Sequence, residues 1–302
     1  MIKDTLTTPQ KRLREILTTK KSPRFNRQHI FEDIRTLAKS TVGPREMVDI
    51  TYSFTLYEKC LAHLRNGQMH LGEYWTHKAI KEFEELPDTV SLSLSILYYP
   101  MLAYYHYVNG DPAEALRLLE CEREAGYELF KDNRVLKTEF MAEQTINKLR
   151  IYCQTGDIDE AMGLVDDLLT YFQYGENRLF EMSFRELTDH DKAAAITWRN
   201  FVIDVILNKF MREPDLQPHL GNILDILARE EAYTGRLVRY VLAPAETADH
   251  LLTEELVNEP RFIQLLFLQR LRSTASDANT SDLINTYLIK DLKVDKTLCQ
   301  DL

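Results

Sequence analysis

Three histidines, His63, His70 and His77, recur every seven residues and on an uninterrupted helix would share one face, the arrangement a metal site needs. Gly67 and Gly72 break that helix, and no Glu-x-x-His pair of the diiron-bundle kind is present, so no metal or other cofactor is expected. Glu73 with His77 and Glu186 with His190 are i,i+4 pairs that suit a helix surface. Asp166-Asp167 invites comparison with acidic magnesium motifs, but Thr170 stands where a third acid would be required. Asp189-His190-Asp191 precedes an Ala-rich helix and supplies negative charge to its N-terminus. There is no Gly-rich phosphate loop, no nucleophile elbow and no Ser-His-Asp set that the sequence brings together, so a non-catalytic protein is expected. The aromatic run Tyr98, Tyr99, Tyr104, Tyr105, His106, Tyr107 is different in kind. Five tyrosines on one helix cannot all enter a core, so some must face a surface or groove.

The elements that would carry these residues are helical. With 44% apolar residues in 302 and only ten Gly and ten Pro, the chain can form a substantial core but has few of the turns an all-β fold requires. Apolar spacings of three and four residues recur almost throughout, and the breaks fall at Ser, Asp, Gly and Pro. About fifteen helices are predicted. They include 9–19, 28–41, 45–66, 73–86, 89–108, 112–127, 134–155, 158–173, 189–211, 216–230 and 282–291. Arg261 to Leu271 reads as a buried closing helix, and Arg272 to Ser281 has the composition of a flexible linker. Short connections imply antiparallel neighbours.

A decamer repeats within this pattern: GDPAEALRLL from Gly110 to Leu119 and GDIDEAMGLV from Gly156 to Val165. Gly110 and Gly156 suit the left-handed end of an incoming helix. Asp111 and Asp157 are placed to cap the next, with Glu114 and Glu160 completing a capping box. Ala115 and Ala161 let two helices cross closely. Units of this kind bury their apolar faces by stacking on neighbours.

The two Gly-Asp-x-x-Glu-Ala turns resemble those of tetratricopeptide repeat proteins, with Tyr152 and Ala103 also at positions typical of the family. Gly72-Glu73-Tyr74 is similar to a third such turn, although its small residue is displaced to Ala79. The similarity covers residues 50–175, and the 38- and 46-residue intervals exceed the family's period of about 34, pointing to extended helices. The resemblance implies an all-α, right-handed superhelix of antiparallel helix pairs. Its expected divisions are a basic helical cap at 1–43, repeats at 44–175, divergent repeats at 176–271, and a linker with a C-terminal helix at 272–302. It further implies a concave groove lined by Leu97, Met101, Tyr104 and Tyr107, then by Glu143, Asn147, Arg150 and Gln154, with Lys59, His63 and Asn66 as the corresponding set in the first pair. Such a lining suits an extended peptide, and the alternative is that these groups bond only to adjacent helices. The functional expectation is a scaffold or adaptor for a protein or peptide partner.

Charge supplies the runner-up. Residues 1–45 carry a net +7 and the remainder −17. Lys11, Arg12, Arg14, Lys20, Lys21, Arg24 and Arg27 would attract nucleic acid, an acidic partner or anionic lipid, or else lie as a basic cap on an acidic body. In the second reading of function, the array senses a peptide while this segment contacts nucleic acid or an effector. No stretch has the length of a membrane span and the N-terminus lacks a signal-peptide pattern, which gives a cytoplasmic expectation with no membrane contact. Cys60, Cys121, Cys153 and Cys299 lack paired spacing and read as reduced thiols. A dimer face or a closing layer is open for Ile263, Leu265, Leu266 and Leu268.

Overall fold

The computed structural model describes residues 36, 40, 42–44, 46–174, 189–212, 214–229, 233–243, 259–274 and 278–290. Among these, every regular element is helical. The predicted helices at 9–19 and 28–41, the seven basic residues above and Cys299 lie outside the described residues, apart from helical positions 36 and 40. The described residues fall into two compact units that divide between Ala195 and Ile196.

The first unit contains α1 (Glu46–Arg65), α2 (Met69–Glu84), α3 (Asp88–Val108), α4 (Pro112–Leu129), α5 (Arg134–Thr155) and α6 (Ile158–Tyr174). Sequential helices pack as hairpins, α1 with α2, α3 with α4 and α5 with α6, while α1 also packs on α3 and α4 on α5. One core runs through the first two pairs and reaches α5, taking in Ile50, Phe54, Cys60, Leu64, Leu94, Met101, Leu118 and Ile151. Pro112 opens α4 at its first turn, where no backbone donor is needed, and the Asp111 carboxylate accepts from the Glu114 N–H at 3.1 Å. Asn133 caps α5 in the same way through the Leu136 N–H.

Among the described residues, three glycines have left-handed backbone: Gly67 (φ 70°), Gly110 and Gly156 (each φ 82°). The last two close α3 and α5 at the repeat turns, as expected, and Ala115 and Ala161 five residues later are fully buried. The first corrects the reading of the N-terminal pair. Its turn is at Gly67, not Gly72, because α2 starts at Met69 and Gly72 lies inside it. Gly72 is needed for closeness: a Cβ there would stand 2.4 Å from Leu64 Cδ2. Gly67 and Gly72 therefore occupy the places of Gly110 and Ala115, and the intervals between turns become 43 and 46 residues. The capping box is also corrected. Glu114 is engaged by Arg117, while Asp157 accepts the Thr155 hydroxyl at 2.6 Å.

The second unit takes most of α7 (Asp189–Arg212), a 3-10 turn (Pro214–His219), α8 (Leu220–Ala228), α9 (Tyr233–Leu242), α10 (Arg261–Thr274) and α11 (Ala278–Lys290). The expected helix at 216–230 is thus divided, its first part wound as the tighter 3-10 form around Pro218. The flexible-linker reading of Arg272 to Ser281 is corrected at both ends, since 272–274 finish α10 and 278–281 begin α11. Arg272 ties the two helices by donating to Asn285 Oδ1 at 3.1 Å. Ile263, Leu265 and Leu268 are buried within the unit as a closing layer, and Leu266 is half-buried.

Candidate functional site

The α3 residues expected to line a groove separate by burial. Met101 is completely buried and belongs to the core, which corrects its place in the lining. Leu97, Tyr104 and Tyr107 are half-buried and lie against that core. The Tyr104 and Tyr107 rings are 6.1 Å apart at their centroids, and the Arg65 guanidinium of α1 stands 5.8 Å from the Tyr104 ring. The Tyr107 hydroxyl donates to the Gln154 side-chain oxygen, joining α3 to α5. Tyr98, by contrast, is buried and stacks on Phe83 at 3.8 Å, so part of the aromatic run is structural.

On α5, Glu143, Asn147, Arg150 and Gln154 are spaced by four, three and four residues and so form one stripe. Gln154 is exposed and the other three are half-buried. Since Gln154 meets Tyr107, the stripe begins beside the α3 tyrosines. Arg150 Nη1 donates to Asn147 Oδ1 at 2.8 Å, and Asn147 Nδ2 donates to Gln144 Oε1 at 3.2 Å. The anchors are therefore held along one helix by their neighbours, which restricts their rotamers before any ligand arrives. The arrangement offers aromatic faces, a cation and amide groups, the chemistry of a polar chain's carbonyls, carboxylates and side chains.

The register correction moves the first pair's contribution. Lys59 lies 4.4 Å from the Trp75 ring and His63 Nδ1 meets Gln68 Oε1 at 2.6 Å, while Asn66 is an exposed turn residue. With Gly67 as the turn, the positions equivalent to Leu97, Met101, Tyr104 and Tyr107 are Phe54, Glu58, Leu61 and Leu64, and Phe54 and Leu64 are core. Arg65, which the sequence reading missed, is the α1 residue that reaches the tyrosines; its position in the last turn beside Gly67 was the available signal. His63 lies on α1 and His70 and His77 on α2, and among the described residues no group of three or more His, Cys, Asp and Glu side chains could hold a metal ion.

Sequence reasoning also passed over the seam between α4 and α5. Glu122 is completely buried there, on the stripe of Ala115, Leu118, Leu119 and Gly126. A glutamate at a position that helical spacing assigns to the core was visible in the sequence. Burial, with the Glu143 carboxylate opposite, holds its carboxyl well above the usual carboxylate range. Lys148 pairs with Glu120 in the same seam, and burial pushes its ammonium down. No family model, curated protein or solved structure matches this chain.

Proposed function

We propose that the chain is a non-catalytic adaptor or scaffold whose helix pairs continue as a tetratricopeptide-like right-handed superhelix and hold a peptide segment of a protein partner in the concave groove. The observation that carries this reading is the line from Arg65 through Tyr104 and Tyr107 to Gln154, which joins three successive helix pairs with side chains left partly open to solvent. Tyrosines held at their bases by core contacts give rigid contact area at small entropic cost. Asn147 and Arg150, already restrained by each other, supply hydrogen bonds and charge for an extended backbone and its carboxylates. The three glycine turns support the repeat reading, because each closes a first helix and is followed five residues later by a buried small residue.

The test is the triple substitution Tyr104→Ala, Asn147→Ala, Arg150→Ala. A partner bound by the intact chain is expected to lose affinity on the order of tenfold or more, since truncated interface tyrosines and arginines often cost above 1 kcal/mol each. Unchanged affinity in a variant that keeps its helical content would sink the groove assignment.

A further inference from the structure

Glu122 has no accessible surface, and neither of its carboxyl oxygens has a hydrogen-bond partner. A carboxylate in such a place is costly enough that the group takes a proton instead. The cations nearby are committed elsewhere: Arg123 of α4 and Lys148 of α5 both pair with Glu120. From α5 the groups that face Glu122 are the Glu143 carboxylate and the Gln144 amide, which approaches without reaching hydrogen-bonding geometry. α3 also packs on α4, and of the charged groups around the carboxyl Glu143 is the one that raises it.

Gln144 is also the inner end of a relay. Its side-chain oxygen accepts from Asn147, whose own oxygen accepts from Arg150. With that oxygen engaged, Gln144 has only its amide N–H groups to offer an ionised Glu122. We propose that the α4–α5 seam is a proton-operated joint, in which neutral Glu122 lets the helices close and its ionisation draws the Gln144 amide inward, loosening the seam and disturbing Asn147 and Arg150. The joint is a property of the chain alone; it rests on the groove reading only in that those two residues are groove anchors there.

The folded-state carboxyl holds its proton to higher pH than the unfolded one, so its contribution is complete at acid pH and is lost as pH rises through the folded value. Urea unfolding of the full chain from about pH 5 to about pH 9, a span in which buried carboxyls titrate, should show this falling limb. Glu122→Gln, neutral at every pH, should abolish it. Glu143→Gln removes the facing like charge, and should move the limb to lower pH. In the wild type, the NMR signals of the Asn147 side-chain amide and the Arg150 guanidinium should move with the same midpoint. A limb that persists in Glu122→Gln, or anchor signals that stay still while it passes, overturns the joint. Should Glu122→Gln fail to fold, an unmoved midpoint in Glu143→Gln does the same. No reading here involves a partner, so failure of the groove and failure of the joint are separable.

Discussion

Gly126 and Gly163 both lie inside helices, yet replacing each with Ala should change stability in opposite directions. A Cβ on Gly126 would stand 2.0 Å from Cε1 of Phe140, whose ring packs on Phe130 at 5.3 Å and has a formed core behind it. Gly126→Ala should cost about 1–3 kcal/mol as overpacking, only partly offset by better helix propensity. A Cβ on Gly163 meets nothing within 4 Å, so Gly163→Ala should gain about 0.5–1 kcal/mol. Urea midpoints of the two variants check both, and equal signs would contradict the packing described. At this scale the sequence was legible where residue type has one common meaning, as for Gly110, Gly156, Ala115 and Ala161. It misled at Gly72, because a glycine needed for left-handed backbone and one needed for close approach look alike in the chain, and the Glu after Gly72 imitated the Asp of the true turns. Met101 misled for a related reason: an offset names a face of a helix but not how deeply a neighbour covers it, and here the α1–α4 core covers it completely.

Helix limits in the first unit followed from local chemistry, and α3 to α6 lie within two residues of the ranges expected from their Pro, Asp, Asn and Gly punctuation. The caps give a quantitative check. Asp111→Ala and Asn133→Ala each remove an acceptor from a backbone N–H at 3.1 Å and should cost about 1 kcal/mol in urea unfolding. Asp157→Ala removes an exposed contact to Thr155 and should cost less than either. A uniform loss across the three would mean that the capping assignments are wrong. Further along, Arg272 to Ser281 was misread because Ser, Thr, Asp and Asn serve loops and helix ends alike; the Arg272–Asn285 bond that favours the helical alternative joins residues thirteen apart and leaves no local trace. The seam between α4 and α5 makes the same point in reverse, since Glu122 broke an apolar stripe in plain view while its meaning depended on Glu143 and Gln144 of the next helix.

At the scale of the molecule, the helical character of the described residues was readable from composition and apolar spacing, and among them no helix is long and apolar enough to cross a membrane. The charge asymmetry bears on function through the basic segment, whose residues lie outside the described part of the chain. It separates the two functional readings by salt: a partner held by Tyr104, Tyr107 and Arg150 should resist moderate salt better than one held by the seven basic residues of that segment, since binding of that kind falls steeply with ionic strength. What spacing alone did not reveal is the continuity from Arg65 to Tyr104, Tyr107 and Gln154, because it joins three helix pairs through side-chain reach. The groove is the central claim, and the most direct test is the affinity of the partner for the intact chain and for the Tyr104→Ala, Asn147→Ala, Arg150→Ala variant at moderate salt, with helical content measured alongside. The account predicts a loss on the order of tenfold or more with the helices intact. Equal affinity for the two chains would contradict it and, if that binding disappears as salt is raised, would place recognition on the basic N-terminal segment.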